Sequence, residues 1–327
     1  MAFLSRIIIP QPIRLSMAVF SLVFSVQAQS APLEQKELDD LFSSNEPSTR
    51  VKTTLTGQVL TESSWPDAYR EKINTDLKVA KAAFHAAPDR EESYIWLGRR
   101  YGYLDRYDEA IKVFTTGLEK FPNSYKLLRF RGRHLARNRD FERAIADYKL
   151  GLKKMSGHDD SFEPDGMPNK VNLTISTYRR NLHYYLGQTS FAIGDYRQMY
   201  DQLEKSRKPL IALPIDDHEV AVIFWQYIAL NKLGKKADAN ALLEQLNEPV
   251  VLLENTSYYE ALLILTGRGE SQNSRSIGDN LSKFALGMRL QFDGDENAAR
   301  DILSELVTDS PKGYWPAEVE LVNSLDY

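Results

Sequence analysis

A set of residues recurs in this chain at an interval of 34. Tyr94, Leu97, Gly98, Tyr101, Ala110, Phe114, Gly117 and Pro122 are matched 34 residues on by Leu128, Arg131, Gly132, Leu135, Ala144, Tyr148, Gly151 and Ser156. A unit this short cannot bury an apolar face alone, so it must stack on its neighbours into an array. Within the unit the apolar spacing is helical, and each half is long enough for one helix of a pair. Gly98 and Ala110, like Gly132 and Ala144, are small where the paired helices approach closely. The large residues around them fill the groove between helices. Gly117 and Gly151 stand where the second helix meets the next unit, and Pro122 punctuates the turn.

Weaker copies follow. Leu186-Gly187 with Gly194-Asp195-Tyr196 echoes Leu97-Gly98 with Asp105-Arg106-Tyr107, although Met199 replaces the small Ala. Gly234 with Ala239 marks a fourth unit, and Leu286, Gly287, Leu290, Gly294, Ala299 and Pro311 a fifth. The pattern resembles the tetratricopeptide repeat, a pair of antiparallel helices. That resemblance implies an all-α fold: a right-handed α-solenoid of about twelve helices with a concave groove lined by the first helix of each pair. The helical repeat domain is expected over 66–313. Its clear repeats are 91–124 and 125–158, its degenerate ones 180–213, 220–253 and 280–313, and an insertion falls at 159–179. A leading helix over Asp67–Ala87 precedes the array, an extra helix lies at Ser257–Leu265, and residues 314–327 form a capping helix.

The first 28 residues read as a secretory signal peptide. Arg6 and Arg14 precede the apolar run Met17–Val26, and Val26-x-Ala28 has the small-residue spacing of a cleavage site near Ala28. The apolar run is about half the length a bilayer span needs. Met17 is an alternative start. The expectation is an exported, periplasmic protein with no stable membrane insertion after cleavage. Residues 29–65 mix Ser, Thr, Asn and Pro with scattered charges and read as a flexible N-terminal arm. The chain has no cysteine, which excludes disulfides, thiol catalysis and Cys-ligated metals.

Formal net charge is −4, which gives no global reason to bind nucleic acid. Residues 91–158 nevertheless hold 15 Lys/Arg against 9 Asp/Glu. The excess concentrates in one helix, where Arg129, Arg133 and Arg137 recur every fourth residue along one stripe. In the tetratricopeptide register Arg129 and Arg133 face the groove, with Arg99 one repeat earlier and Tyr184 and Gln188 in the third unit. Tyr103 and Asn181 flank the same channel. Arginine's planar fork suits carboxylates, and tyrosine rings offer stacking faces. These eight residues are the candidate binding groove. Relatives that grip peptide C-termini use a Lys/Asn/Arg clamp there; here Arg129 and Arg133 stand at its Lys and Asn positions, so that clamp is not reproduced. Arg131 falls where its counterparts Leu97 and Leu186 pack inward, and it needs an acid from Asp147 or from the insertion.

No catalytic motif is present: no HExxH, no nucleophile elbow, no P-loop and no dinucleotide fingerprint. The insertion's acids Asp159, Asp160, Glu163 and Asp165 lack EF-hand spacing, so neither a metal nor another cofactor is expected. Its EPDGMPN link and the LHYYLG helix after it resemble exported bacterial repeat proteins. The reading is a non-enzymatic exported scaffold that binds a protein or peptide partner, acidic segments being the class an Arg stripe suits. An anionic-polysaccharide binder or assembly factor is the alternative. A divergent hydrolase around His158, Asp159 and Asp160 is a minor one.

Overall fold

Apolar residues spaced three and four apart, with capping side chains between several of the runs, give thirteen α-helices among the described residues. A computed structural model describes residues 52–61, 63–167, 169–210, 213–246, 249–269 and 279–324. The signal segment 1–28, the arm as far as residue 51 and the last three residues of the cap lie outside the described residues. In order the helices are α1 (Asp67–Ala86), α2 (Glu91–Tyr103), α3 (Tyr107–Lys120), α4 (Tyr125–Arg137) and α5 (Phe141–Lys154). After the insertion come α6 (Tyr178–Ser190), α7 (Tyr196–Ser206), α8 (Asp217–Lys232) and α9 (Lys236–Leu242). The chain ends with α10 (Thr256–Thr266), α11 (Asn280–Asp293), α12 (Glu296–Asp309) and α13 (Trp315–Asn323). The described residues contain no strand, only the isolated antiparallel bridges Thr53–Val59 and Phe162–Thr177.

Starts of helices are set by local chemistry. Ser124, Thr177, Asp195, Asp279 and Asp295 each accept a hydrogen bond from the backbone N–H three residues on, satisfying a donor the helix leaves open. The pairing of helices follows from one offset. A Cβ on Gly98 would collide with the Phe114 ring, on Gly132 with Tyr148, on Gly187 with Leu203 and on Gly287 with Leu303, each partner sixteen residues on. In the fourth unit Tyr227 takes the glycine's place and the second helix, α9, is short. Gly117 and Gly151 abut Leu127 and Leu182 of the following unit, so close approach continues from pair to pair.

The turn within each pair also repeats. Seven residues after the glycine position stands a left-handed backbone: Asp105, Arg139, Gly194, Gly234 and Gly294. Glycine adopts that conformation freely, whereas Asp105 and Arg139 are held in it at a cost of about 1 kcal/mol.

Two apolar clusters make up the core. One packs α1 to α6 around Phe84, Phe114, Phe130 and Tyr148, and the other packs α6 to α13 around Phe191, Trp225, Phe284 and Met288. Helix α8 is apolar on every side because it runs through the second cluster.

The array curls until its last helix meets its second repeat. Trp315 lies against Phe141, ring centroids 5.3 Å apart, and Arg139 pairs with Glu318. Residues 52–61, assigned by sequence to the flexible arm, form a tight turn against this junction. Leu55 N–H donates to Glu318, Lys52 pairs with Asp108, and Thr61 N–H donates to the Pro311 carbonyl. These polar ties order a stretch whose composition carries no helical stripe.

Candidate functional site

The curl encloses a concave cavity of about 1030 Å³ between α4, α6, α10 and α13. Tyr103, Arg133, Arg137, Asn181, Tyr184 and Gln188 line it, six of the eight residues chosen from the sequence. Helix periodicity explains the grouping: Arg133 and Arg137 are one turn apart on α4, and Asn181, Tyr184 and Gln188 share a face of α6.

Arg99 and Arg129 are elsewhere. The register aims both at the concave face, but the insertion folds over that part of it and takes them up. Arg129 is 1% exposed, with its Nη2 2.6 Å from Glu163 Oε1, and its guanidinium lies over the rings of Phe130 and Tyr185. Arg99 donates to the Pro164 carbonyl at 2.8 Å and stacks between Trp96 and Phe130. Neither side chain belongs to an open cationic floor. Arg131 pairs with Asp147 through two bonds of 2.7 and 2.8 Å, the first of the two acids proposed for it.

The cavity's charges divide into those with partners and those without. Glu219 pairs with Arg207, and Asp217 accepts the amides of Leu253, Glu254 and Asn255. Glu254 is hydrogen-bonded by Asn169, Asp105 accepts from Ser63 and Tyr107, and Asp216 accepts from the Val251 amide. Arg139 is held by Glu318, and Arg180 donates through Nε to the Ser206 carbonyl. Arg133 and Arg137 have no carboxylate at ion-pair distance among the described residues. Each lies over an aromatic ring instead: Arg133 over Tyr185 at 5.4 Å and Arg137 over Tyr107 at 5.7 Å. The cavity therefore presents a positive wall.

The rings beneath them are held in place. Tyr107 donates to Asp105 at 2.8 Å, and burial, chiefly, pushes its phenol up to about 12. Burial also pushes the Tyr185 phenol up, but Arg133 and Arg129 more than offset this and the net displacement is downward. In return Tyr185 leads the groups that bind the Arg133 proton more tightly. Tyr184 donates to the Tyr258 hydroxyl at 2.8 Å, and Trp225 Nε1 donates to the same oxygen at 3.2 Å. Sequence reasoning did not select Tyr107, Tyr185, Tyr258 or Trp315. Tyr185 was adjacent to a chosen residue; the other three lie off the first-helix stripe.

Two guanidinium forks on ring faces, in one cavity with the amides of Asn181 and Gln188, suit a carboxylate or an extended backbone. A Ser–His contact does occur, between Ser206 Oγ and His218 Nε2 at 3.2 Å. Ser206 is fully buried and its hydroxyl donates to the Leu203 carbonyl, so it offers no accessible nucleophile. Asp160 accepts the Ser161 and Arg179 amides, a loop-fixing role.

No protein-family model matches the chain, and no curated protein matches it. Among solved structures it is similar to a chain of the APC/C hetero-tetramer Cut9–Hcn1 at 15% identity and TM-score 0.46. That match covers 78% of this chain and 40% of the other, so this chain spans well under half of that one. It is also similar to PilW, a widely conserved type IV pilus biogenesis factor, at 14% identity and TM-score 0.45, covering 78% and 93%. A third is YrrB, a TPR protein with an unusual peptide-binding site, at 12% identity and TM-score 0.39, covering 77% and 100%. The chain's own geometry decides the architecture: a close-approach position, a left-handed turn seven residues on, and a packed partner sixteen on, in successive helix pairs. The fold is of the tetratricopeptide type. In tetratricopeptide terms the cavity is the concave groove, with the part around Arg99 and Arg129 covered by the insertion and the part lined by Arg133 and Arg137 open.

Proposed function

We propose that the protein is an exported, non-catalytic scaffold that binds an acidic segment of a partner protein in the open part of its groove. Arg133 and Arg137 receive the carboxylates, and Asn181 and Gln188 pair with the partner's backbone. The observation that carries this reading is the pair of guanidinium groups that line a large cavity with no carboxylate at ion-pair distance from either among the described residues. A concave wall of one sign concentrates the field and attracts ions of the other. An exposed ion pair contributes only about 0–1 kcal/mol, so binding strength must come from bidentate contact in a partly desolvated groove. Export rests on the cationic start, the apolar run Met17–Val26 and the cleavage spacing at Ala28.

The test is calorimetric titration of the chain with a glutamate-rich peptide, its glutamine counterpart and an acidic oligosaccharide, at low and high salt. Binding of the glutamate peptide alone, weakened by salt and lost in Arg133→Ala/Arg137→Ala, supports the reading. Binding of the oligosaccharide in preference would move the ligand class to anionic polymers. Recovery of the full-length chain in the membrane pellet after cell fractionation would overturn the export step.

A further inference from the structure

The covered half of the groove has its own chemistry. The chain enters the insertion after α5 and crosses the concave face in an extended run, Phe162-Glu163-Pro164-Asp165-Gly166. It returns to α6 through the Phe162–Thr177 bridge, where Glu163 N–H donates to the Ser176 carbonyl. Three arginines from two adjacent first helices hold this run. Arg129 takes the Glu163 carboxylate, Arg99 the Pro164 carbonyl, and Arg100 the Gly166 carbonyl at 3.0 Å. Gly166 passes so near Tyr103 that a Cβ would overlap the phenol oxygen. One side chain and two main-chain carbonyls on alternate residues are gripped, with small-residue contact at the end. This is how a groove reads an extended peptide.

The grip is incomplete. Arg129 Nε and Nη1 and Glu163 Oε2 are buried yet make no hydrogen bond among the described residues. Guanidinium and carboxylate can meet through two parallel bonds, and here they meet through one. A buried pair evolved purely as a strut gains most from full satisfaction, as Arg131–Asp147 in the same repeat shows with its two short bonds.

We propose that Arg99, Arg100 and Arg129 form a second peptide subsite whose ligand is an extended segment carrying a carboxylate followed by proline and a close-packing glycine. The chain's own Glu163–Gly166 fills this subsite as a releasable intramolecular ligand. Release uncovers the groove around Arg99 and Arg129 and joins it to the cavity lined by Arg133 and Arg137.

Two measurements test this. Hydrogen exchange on the intact chain reads release directly: the Glu163 amide should exchange at least about tenfold faster than amides in the middle of α2 and α4, because the run lifts while the helices stand. Exchange of Glu163 at the α4 rate would mean the run leaves only on global unfolding and would overturn the proposal. The second uses a labelled peptide of sequence Ser161–Met167 against the intact chain and Glu163→Gln. Weakening the internal contact should tighten peptide binding about tenfold, and a peptide with Gln at the Glu163 position should not bind either chain. A folded Glu163→Gln chain that ignores the peptide would also overturn it. Should Glu163→Gln not fold, the exchange measurement decides alone. The Glu163 exchange rate is read on the chain alone, with no peptide present, so failure here is separable from failure of the cavity reading.

Discussion

Arg139 and Glu318 stand 179 residues apart and share two bonds, Nη2 to Oε1 at 2.5 Å and Nε to Oε2 at 3.1 Å. Glu318 is fully buried and also accepts the Leu55 amide, so one carboxylate ties the second repeat, the last helix and the N-terminal turn together. Arg139 reaches it from a left-handed backbone, φ +64°, at a turn position that is glycine in three other repeats. Asp105 is the equivalent exception and is held by Ser63 and Tyr107. In both repeats a strained residue persists where its side chain has a long-range partner.

Glu318→Ala leaves the Arg139 charge buried and unpaired, which should lower unfolding stability by about 3–5 kcal/mol. Arg139→Gly should cost less than Arg139→Ala by about 1 kcal/mol, since only glycine relieves the backbone strain. Urea denaturation checks both. Equal losses for the glycine and alanine variants would show that the left-handed turn carries no cost.

A second expectation concerns the close helix contacts. Gly132→Ala places a methyl against Tyr148, where ring and helix leave no space. Overpacking of this kind should destabilise by about 1–3 kcal/mol, even though alanine is the better helix former. A thermal melt that rises for Gly132→Ala would show that the helix pair can slide apart at no cost.

The parts of this fold legible in the sequence are those set within one repeat. Gly98 and Gly132, Ala110 and Ala144, and the Arg131–Asp147 pair all follow from short offsets on adjacent helices. Junctions set by accumulated curvature were not legible. Small rotations summed over five repeats bring Trp315 to Phe141 and Glu318 to Arg139, and no local pattern encodes that sum. Arg129 failed differently. Its direction follows from the register, but its partner, Glu163, sits in a loop whose path over the groove has no periodicity to read. Tyr258 reaches the cavity wall from α10, outside the paired repeat pattern.

Acid should weaken the fold in a defined window. His134 Nδ1–H donates to the Phe130 carbonyl, and desolvation, reinforced by Arg137, pushes the imidazole well below its usual value. His218 is pushed down to about 3, chiefly by desolvation and then by Arg180. Both are neutral in the folded state and protonate more readily when unfolded. Their stabilising contribution is whole above the unfolded value of about 6.5 and is lost as pH falls below it, for His218 until about 3. The loss is at most about 1.4 kcal/mol per pH unit for each histidine. Denaturation at about pH 7 and about pH 5 should show the decline, and His218→Gln should make it shallower. An unchanged slope in that variant would place the acid sensitivity elsewhere.

The arginines of α4 should separate by role, although they share one helix. Arg129 is buried on Glu163, and Arg131 is bound twice by Asp147 and once to Thr115. Losing either strands a buried carboxylate, so Arg129→Ala and Arg131→Ala should each lower stability by several kcal/mol, about 3–5 for the more buried pair. Arg133 and Arg137 strand nothing: among the described residues each rests on a tyrosine ring with no carboxylate beside it. A cation over a partly exposed ring is worth about 0.5–1 kcal/mol, so Arg133→Ala/Arg137→Ala should shift the melting midpoint only slightly. Binding of an acidic peptide should respond in the opposite order, failing in the Arg133/Arg137 variant and surviving in Arg131→Ala below its melting range. A melting curve and a titration on each variant decide it. A sharp fall in melting with intact binding for Arg133→Ala/Arg137→Ala would make that pair structural and leave the cavity without its anion-binding groups.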